Sequence, residues 1–428
     1  MEHGREARFL KLLPYRRVRD EIIEALSGPH LATEKVPIDS ALGRVSAERV
    51  VSPADIPPVS VSAMDGYAIR SVELAQAVGS APVRFDLVGA LHPSSVRPRR
   101  PITARRAYYV GTGAPIPAGA DAVVKIEETR VDGRAISVSR PIPKGKNVVP
   151  GGDDLRRGEV IVEEGDIVTA ASIALLVGIG VGRLRVNRLP RIGILSTGDE
   201  LAKLGEEEPG KKVNNYSNLM AGYLRDAGAV PVPIGVAGDT VEKITLAIRG
   251  SIGRLDGVLT LGGSSVGERD FTAAAIRAAP RSKEVFHGIR LVPVRPTGLY
   301  LVGRKPVVLL PGHCVAAALS FFLTVKPVVN LLSGLEFGSR TTRLAARLAE
   351  GIVNPRALGT LFLVRLSEAE GRYTARPLPW GSNRISSLLR ANGFLQLEPR
   401  QKLESGAEVV VELLGTQEIS RIASGEPA

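Results

Sequence analysis

Carboxylate side chains recur in the middle of the chain, each shortly after an apolar segment of strand length. Glu200, with Asp199 beside it, follows one such segment, and Asp239 and Asp270 follow two others. A single Asp after a strand is commonly a helix N-cap, and capping is the simpler interpretation of Asp199 or Asp239 taken alone. Capping alone explains less well why carboxylates follow three successive predicted strands. Clustered carboxylate oxygens also suit Mg²⁺ bridged to a substrate phosphate.

A glycine-rich segment, LGGSSVGERD (261–270), precedes a helix-like segment. Its glycines Gly262, Gly263 and Gly267 lack Cβ atoms, so the backbone N–H groups there can approach an anion closely. The N-terminus of the following helix adds a partial positive charge. A tight turn is the alternative, although it needs only one or two glycines. The segment lacks the Walker A lysine and the dinucleotide-binding spacing, which argues against an NTPase and a dehydrogenase.

Small and polar residues at the same strand ends complete the set that could contact a phosphorylated ligand. They are Ser196, Thr197, Gly198, Ser264, Ser265, Pro311, Gly312 and His313. Nothing here indicates a nucleophilic triad, since the histidines are few and scattered and no G-x-S-x-G sequence occurs. His313 precedes the single cysteine, Cys314, and a buried cysteine at a strand-to-helix turn is the favoured interpretation. One cysteine also excludes an internal disulfide and a cysteine-built zinc site.

An alternation of strands and helices after Pro190 must position these residues. Apolar runs predict the strands, and segments with helical spacing predict the helices between them. The predicted strands cover 191–197, 230–237, 256–263 and 306–312, and the predicted helices cover 214–228, 240–252, 271–279 and 315–334. This order is typical of a doubly wound α/β domain with parallel strands and right-handed crossovers. Ligands bind such sheets beyond the carboxyl ends of the strands, where the candidate residues would meet.

The parts of the chain that flank the α/β segment are predicted to be mostly β. Short β-like runs between Gly and Pro turns fill residues 56–145, and similar runs return from about 340 to 420. We expect the second group to form a small barrel or a sandwich. Helical spacing is also present at 16–27 and at 170–180.

The formal net charge of +12, with Arg in excess of Lys, favours an anionic partner. Nucleic acid, a membrane surface and a phosphorylated small molecule all fit, and a solvated Arg-rich surface is the plain alternative. Aromatic residues are only 4% of the chain and do not interleave with basic runs, which argues against a single-strand nucleic-acid binder. The apolar stretches are too short or too interrupted to span a bilayer. The N-terminus has no signal-peptide pattern, so we expect a soluble, cytoplasmic protein.

Several blocks of the sequence together resemble one family. They are SAMDGYAI (62–69), GTGAPIPAGADAVVKIEE (111–128), LPRIGILSTGDEL (189–201), LGGSSVGERDFT (261–272) and PLPWGSNRISSLLRANGF (377–394). The blocks are similar to the signatures of the MoeA family of molybdopterin molybdenumtransferases, to which the gephyrin E domain is also similar. They occur in the family's order and cover nearly the whole chain.

The resemblance implies a four-part fold and a homodimer. The parts would be an extended domain I, a mostly β domain II inserted into it, a MogA-like α/β domain III and a C-terminal β-barrel domain IV. Their expected boundaries are 1–55 with 146–188, then 56–145, 189–336 and 337–428. The active site of the family lies between domain III of one subunit and domain II of the other.

The resemblance also implies an enzyme of molybdenum-cofactor biosynthesis. Its members accept adenylated molybdopterin from a MogA- or MoaB-type adenylyltransferase. With Mg²⁺ and molybdate, or tungstate, they cleave the adenylate and place the metal on the dithiolene. Neither nucleic acid nor a membrane is an expected partner.

The family's site residues can be placed on this sequence one by one. Asp65 matches the Asp of the S-x-MDGYA block, and Thr112 matches the Thr of the TGAP block. Glu200 matches the Glu of TGDE, Asp239 an acidic position after the second strand, and Asp270 the Asp after the SVG loop. The resemblance therefore gives Glu200, Asp239 and Asp270 to the metal, while Asp65 and Thr112 complete the site from the second subunit.

Three blocks depart from the family pattern. A PGKP block with two lysines is replaced by VRPTGLY, in which Arg295 can replace one lysine and attract the oxyanion. The PGNP block reads PGHCVA (311–316), and a basic run in domain I reads NVVPGGDD (147–154). Arg and Lys are not equivalent at an anion site. The departures motivate an alternative, a catalytically weakened paralogue that acts as a pterin-binding or scaffold protein.

Overall fold

The computed structural model describes residues 11–28, 32–74, 82–202, 205–206, 209–262, 271–369, 371–379, 381, 383–415 and 420–421. The chain divides into two compact units. The larger unit comprises Met1–Val36, Gly43–Ala47 and Arg185–Ala428, and the smaller unit comprises Pro37–Leu42 and Glu48–Leu184. The four-domain boundaries expected from the sequence are a different division and stay a prediction.

Helices lie mainly in the larger unit. Its helical segments are Tyr15–Leu26, Tyr216–Asp226, Val241–Ile252, Phe271–Ala278, Cys314–Ser320, Phe321–Val325, Lys326–Leu332 and Ile385–Arg390. The described part of the smaller unit has one α-helix, Ala170–Gly178, and three 3₁₀ turns at Ile38–Ala41, Ser71–Leu74 and Ile126–Glu128. The predicted helices at 16–27, 170–180, 214–228, 240–252, 271–279 and 315–334 are all present, with ends shifted by a few residues.

The larger unit is built on a six-stranded sheet. In spatial order its strands are Val230–Ala237, Arg191–Thr197, Gly257–Leu261, Lys305–Leu310, Gly298–Val302 and Ser282–His287. The first four are parallel, as predicted, and the last two are added antiparallel. The antiparallel pair was absent from the predicted strands. The four parallel strands with helices between them nevertheless confirm the doubly wound α/β fold.

Apolar cores cover both faces of this sheet. On one face, Leu259 and Leu261 pack with Leu224 and with the long apolar helix that follows the sheet. On the other face, Val258 packs with Ile248 and its helix. Successive side chains of a strand point to opposite faces, so a strand covered on both sides is a continuous apolar run. This is why these strands were predictable from sequence.

The long helix from Cys314 to Leu332 continues through Pro327. Proline lacks the N–H that would bond to the carbonyl four residues earlier, here that of Leu323. The backbone adopts a π-helical segment at Phe321–Val325, and the Tyr15 hydroxyl donates a hydrogen bond of 3.1 Å to the Leu323 carbonyl. Although Cys314–Leu332 is apolar and long enough to span a bilayer, 89% of its most apolar window is buried inside the fold. It is a core helix of the larger unit.

The smaller unit carries a second six-stranded sheet. In spatial order its strands are Ala122–Lys125, Gly66–Ile69, Arg106–Val110, Val83–Leu91, Ala135–Val138 and Thr129–Asp132. Further short strands of this unit lie at Val50–Val51, Val61–Ser62, Val148–Val149 and Val160–Val162. Gly66 pairs with Val110, so the residues just before and just after these two positions are neighbours. The mostly β prediction for 56–145 is confirmed.

The last part of the larger unit is a closed five-stranded barrel. Around the ring its strands are Gly359–Ala369, Arg372–Pro377, Arg343–Leu348, Glu408–Leu413 and Gly393–Leu397, and the last pairs again with the first. Its interior is filled by buried apolar side chains such as Val364, Leu397 and Val411. Additional short strands occur at Leu291–Val292, Ile352–Val353, Lys402–Leu403 and Ser420–Arg421. Of the two expected architectures, the barrel is the observed one.

The remaining short strands lie outside the two large sheets and the barrel ring. They are Thr33–Pro37, Arg183–Asn187, Leu201–Ala202 and Lys212–Val213. The last two form a parallel pair, in which Leu201 lies opposite Lys212. This pair brings the segment that follows the strand Arg191–Thr197 next to the start of the helix Tyr216–Asp226.

Candidate active site

The carboxyl ends of the four parallel strands border one cleft of about 590 Å³. Residues predicted from the sequence make up much of its lining: Ser196, Thr197, Gly198, Glu200, Asp239, Gly262, Gly312 and His313. Strand ends of a parallel sheet meet at one edge, which explains why residues so far apart in sequence converge. A cleft of this size can hold a cofactor-sized ligand.

Two carboxylates, those of Glu200 and Asp239, line the cleft. Asp199 lies beside them, on a neighbouring pocket of about 250 Å³ that Lys211 and Lys243 also line. The Asp199 N–H donates to Asp239 Oδ2, and the Asp239 N–H donates to Asp199 Oδ1, both at 3.4 Å. This reciprocal pair ties together the loops that follow two adjacent strands.

Helix capping does not account for Asp239. The helix Val241–Ile252 is capped by Thr240, whose Oγ1 accepts a hydrogen bond from the Lys243 N–H at 3.3 Å. Asp199 precedes the short strand Leu201–Ala202 rather than a helix. Since neither carboxylate caps a helix, the capping alternative is wrong for both.

Glycines form part of the cleft wall, and at Gly262 and Gly198 a side chain would not fit. Gly262 has a φ of +100°, and a Cβ there would lie 2.7 Å from the Thr197 carbonyl oxygen. A Cβ on Gly198 would lie 2.6 Å from Glu200 Oε2. A Cβ on Gly312 would make an ordinary van der Waals contact, 3.4 Å from the Gly262 Cα. The N–H groups of Gly262 and Gly198 already donate to the Leu310 and Ala237 carbonyls. These glycines therefore give the cleft a wall without side chains rather than free donors.

Buried hydroxyl groups fix the strand ends beneath the cleft. Thr197 Oγ1 donates to the Leu261 carbonyl at 3.3 Å, and Thr272 Oγ1 donates to the Gly262 carbonyl at 3.3 Å. Both threonines are buried. Ser196 Oγ donates to Asn214 Oδ1 at 3.1 Å, which fixes the start of the next helix. Buried polar atoms held in this way keep neighbouring strand ends in register.

The cleft also contains functional groups that the sequence analysis missed. Lys212 supplies a cation, Asn214 and Asn383 supply amides, and Tyr216 supplies a phenol. Asn214 and Tyr216 stand at a helix start, where a polar pair ahead of an apolar helix is a usable signal. Lys212 and Asn383 come from a short strand pair and from the barrel segment, and no local pattern indicates them.

The thiol of Cys314 is not poised as a nucleophile. Cys314 is fully buried at the start of the long helix, and burial raises the pKa of its thiol. Its hydrogen bond with Tyr216 favours the thiolate but does not reverse that effect. A buried neutral thiol is unreactive, so the buried-cysteine interpretation is confirmed. His313 lines the cleft next to it.

Some predicted residues lie elsewhere. Arg295 is exposed on the turn before the strand Gly298–Val302 and is outside the cleft lining, as is the buried Pro311. Gly263, Ser264, Ser265, Gly267 and Asp270 lie outside the described residues. Within the described ranges, no three His, Cys, Asp or Glu side chains are grouped as a metal site would require. The proposed third carboxylate is thus one whose position the structure does not describe.

In the smaller unit, Asp65 and Thr112 form a hydrogen-bonded pair. Asp65 Oδ1 accepts from the Thr112 N–H at 2.6 Å and from Thr112 Oγ1 at 2.8 Å. The backbone bond, followed by the side-chain bond, lowers the pKa of the exposed Asp65 carboxyl. The two residues meet because Asp65 directly precedes Gly66 and Thr112 lies two residues beyond Val110, the residue that pairs with Gly66. The Asp65 carboxylate therefore stays ionised at pH values below the ordinary pKa of an aspartate.

Comparison with known proteins places this geometry in a family. Three family models match in order: the MoeA N-terminal region (domains I and II) at residues 13–180, a probable molybdopterin binding domain at 193–330, and the MoeA C-terminal region (domain IV) at 345–414. Molybdopterin molybdenumtransferase 2 of Mycobacterium tuberculosis is 30% identical over 380 residues, which are 87% of this chain and 92% of that protein. The chain belongs to the MoeA family of molybdopterin molybdenumtransferases.

Other relatives agree with the MoeA assignment. Molybdopterin molybdenumtransferase of Bacillus subtilis is 30% identical over 389 residues, covering 89% of this chain and 90% of that one. The crystal structure of the MoeA protein from Pyrococcus horikoshii OT3 superposes with a TM-score of 0.81 at 29% identity, over 94% of this chain and all of that one. The resemblance stated from the sequence blocks, and the MoeA fold it implied, are confirmed.

Proposed function

We propose that this MoeA-family enzyme cleaves adenylated molybdopterin and inserts molybdate, or tungstate, into its dithiolene in a Mg²⁺-dependent reaction. One observation carries the proposal: Glu200 and Asp239 face the same cleft as the glycine backbone of Gly262 and Gly312. Carboxylates beside a glycine-rich strand end can serve a phosphate and its counter-cation together. Molybdopterin and molybdenum enter the proposal because the relatives are molybdopterin molybdenumtransferases.

The residues of the cleft divide into two roles. The predicted loop Gly263–Gly267, which follows the cleft wall at Gly262, would cradle the phosphate. The Lys212 ammonium group lines the same cleft and would offset the negative charge of the substrate. Ser196, Thr197 and the residues around Gly198 would border the pterin. Arg295, from its exposed turn, would attract the oxyanion as it approaches.

The carboxylates fit a magnesium ion as far as the described residues go. Mg²⁺ is usually bound by one or two carboxylates together with waters and substrate phosphates. Glu200 and Asp239 meet that need, and Asp270 would add a third oxygen donor. When bound, Mg²⁺ would neutralise the charge that develops on the phosphate during cleavage. The Asp199–Asp239 pair would hold Asp239 in place for this task.

The smaller unit would complete the site in a homodimer. By family resemblance, Asp65 and Thr112 come from the second subunit, and the lowered pKa of Asp65 keeps its carboxylate ionised. A MogA- or MoaB-type adenylyltransferase would deliver the substrate. We place the reaction in the cytoplasm, without nucleic acid or membrane as partners.

The alternative proposal is a pterin-binding or scaffold protein with weakened catalysis. It is favoured by the PGHC block, which places His313 in the cleft where the family has Asn, and by the position of Arg295 outside the lining. The two proposals share ligand binding and differ in turnover. They are therefore separated by measuring adenylate release.

The test supplies the purified protein with adenylated molybdopterin, molybdate and either MgCl₂ or EDTA, and follows AMP release. The proposal expects AMP release with MgCl₂ and its loss with EDTA. Asp270→Ala and Asp239→Asn should each slow release by about 100-fold or more, since each removes a group that acts in the transition state. The control is Glu242→Gln, an exposed carboxylate three residues beyond Asp239. Tight binding without AMP release would favour the scaffold, and a wild-type rate in Asp270→Ala would contradict its assigned role.

A further inference from the structure

A second cavity of about 420 Å³ lies at the amino-terminal end of the parallel strand Lys305–Leu310, whereas the cleft lies beyond the carboxyl ends of the parallel strands. It is lined where the helix Val241–Ile252 ends and where the turn between Gly298–Val302 and Lys305–Leu310 is made. The strand Lys305–Leu310, about 17 Å long at the usual rise per residue, lies between this cavity and the cleft at Gly312. The cavity is therefore no extension of the proposed active site.

Four cationic side chains line this cavity: Arg249, Arg281, Arg304 and Lys305. Lys305 is already engaged, because its Nζ donates to the carbonyls of Ile252 at 2.8 Å and Gly253 at 3.0 Å. These are terminal carbonyls of the helix, where a cation is stabilised by the helix dipole. Lys305 thus caps the C-terminus of the helix, and the positive charge available to a ligand in the cavity comes from the three arginines.

The three guanidinium groups have no carboxylate within 4 Å among the described residues, although nearby arginines do. Arg277, for example, is 2.8 Å from Glu284, and Arg188 is 2.7 Å from Asp256. Like charges gathered in one concave space raise the local potential and attract counter-ions. An arrangement of this kind favours a ligand that brings several negative charges together.

The cavity also has an apolar wall. Ile252, Pro280 and Val302 line it between the arginines. Arg281 has a φ of +57°, a conformation that costs free energy for a residue with a side chain. Its carbonyl accepts a hydrogen bond from the Gly303 N–H at 3.1 Å. Apolar and cationic residues that line one cavity suit a ligand with a flat or aliphatic body and an anionic end.

We propose that this cavity binds a nucleoside polyphosphate. Guanidinium forks match phosphate oxygens in geometry and charge, and the apolar wall would contact the base or sugar. A cavity of this volume accommodates one such molecule. Duplex nucleic acid would instead need a continuous cationic surface. The proposal assigns a ligand outside the active cleft and does not rest on the reaction proposed above.

The first experiment measures ATP binding to the full-length protein by isothermal titration calorimetry in EDTA. We expect Arg249→Ser/Arg281→Asn/Arg304→Ser to weaken ATP binding at least tenfold. Asn is chosen for position 281 because it tolerates a positive φ. The matched control, Arg130→Ser/Arg134→Ser/Arg140→Ser, removes the same charge from exposed positions of the smaller unit and should change the Kd less than twofold.

Single variants keep the test valid if the triple variant does not fold. Arg249→Ser and Arg304→Ser should each weaken ATP binding by about three- to tenfold. Arg254→Ser removes an equal charge from an exposed residue next to the cavity but outside its lining, and should have a smaller effect. Pyrophosphate should bind at least fivefold more weakly than ATP, because it cannot contact the apolar wall.

Four results would overturn the proposal. They are an unchanged Kd in the triple variant, an equal loss in the control triple, an equal loss in Arg254→Ser, and a preference for duplex DNA over ATP at equal phosphate concentration. The cleft variant Asp239→Asn should retain the ATP site that the arginine variants lose. Loss of that site in Asp239→Asn would place the nucleotide in the cleft instead. AMP release is measured separately, so failure of either proposal leaves the other standing.

Discussion

Asp199 and Asp239 each accept a hydrogen bond from the backbone N–H of the other, at 3.4 Å in both directions. The pair joins the ends of the adjacent parallel strands Arg191–Thr197 and Val230–Ala237. It leaves Asp239 on the cleft and Asp199 on the neighbouring pocket. In the proposed reaction, Asp199 would act as a positioning residue and Asp239 would be the group that contacts the ligand.

Removing the acceptor at position 199 should therefore impair catalysis through Asp239. We expect Asp199→Ala to lower kcat for AMP release by about tenfold with little change in KM, since it loosens a group needed in the transition state. Asp199→Asn retains a side-chain oxygen and should recover most of the activity. Equal loss in the two variants would show that the charge of Asp199, rather than its position, matters.

A methyl group at Gly312 should narrow the cleft without unfolding the protein. Its Cβ would be 3.4 Å from the Gly262 Cα, an ordinary van der Waals contact, and its φ is not in the left-handed range. We expect Gly312→Ala to leave the thermal midpoint within about 2 °C and to raise KM at least tenfold. Gly222→Ala, in open space on the helix Tyr216–Asp226, is the control and should raise stability slightly. Unchanged KM in Gly312→Ala would place the ligand away from this wall.

The carboxyl of Asp65 should titrate below its ordinary pKa because Thr112 hydrogen-bonds the ionised form. Thr112→Val removes the Oγ1 donor and keeps the backbone donor, so the pKa of Asp65 should rise partway toward normal. Thr112→Ser should leave it low. The stabilising effect is present above the ordinary carboxyl pKa and is lost as the pH falls through the lowered one. Carbon-13 NMR titration measures the shift, and identical titrations in the valine and serine variants would contradict the assignment.

Stability of the larger unit should fall in mild acid because of His287. Burial, followed by the nearby charge of Arg277, lowers the pKa of His287 to about 4. The folded state therefore binds fewer protons than the unfolded state between that pKa and the ordinary one. The contribution of neutral His287 to the free energy of unfolding is fully present above the ordinary histidine pKa. It should decline by about 2 kcal/mol by about pH 5.

Urea unfolding of wild type and His287→Gln at about pH 7 and about pH 5 measures this effect. The wild-type midpoint should fall more than that of the variant, which has no titrating group at this position. Parallel changes in the two proteins would show that His287 is not the source of the acid sensitivity.

Much of the fold was predictable because its strands are buried on both faces. The strand Gly257–Leu261 is a continuous apolar run, and its position followed from that, whereas its parallel direction followed from the alternation of strands and helices. The strand Ser282–His287 escaped prediction because Lys283 and Glu284 interrupt the apolar pattern at the sheet edge. Closure of the C-terminal barrel depends on long-range pairing between Gly359–Ala369 and Gly393–Leu397, which no local pattern encodes.

The site was predictable to the extent that it is made by strand ends. Glu200, Asp239 and Gly262 follow apolar strands directly, and sheet geometry alone brings them together. Lys212 reaches the cleft through the short parallel pair with Leu201–Ala202, and Asn383 reaches it from the barrel segment. These contributions depend on tertiary packing, so only coordinates could reveal them.

The most direct test is a crystal structure of the protein soaked with adenylated molybdopterin, Mg²⁺ and tungstate, located by anomalous scattering. The proposed reaction predicts tungsten and phosphate density inside the cleft bordered by Glu200, Asp239, Gly262 and Gly312. It also predicts Mg²⁺ within coordination distance of at least one of the two carboxylates. A filled ligand site elsewhere, with this cleft holding only water, would contradict it.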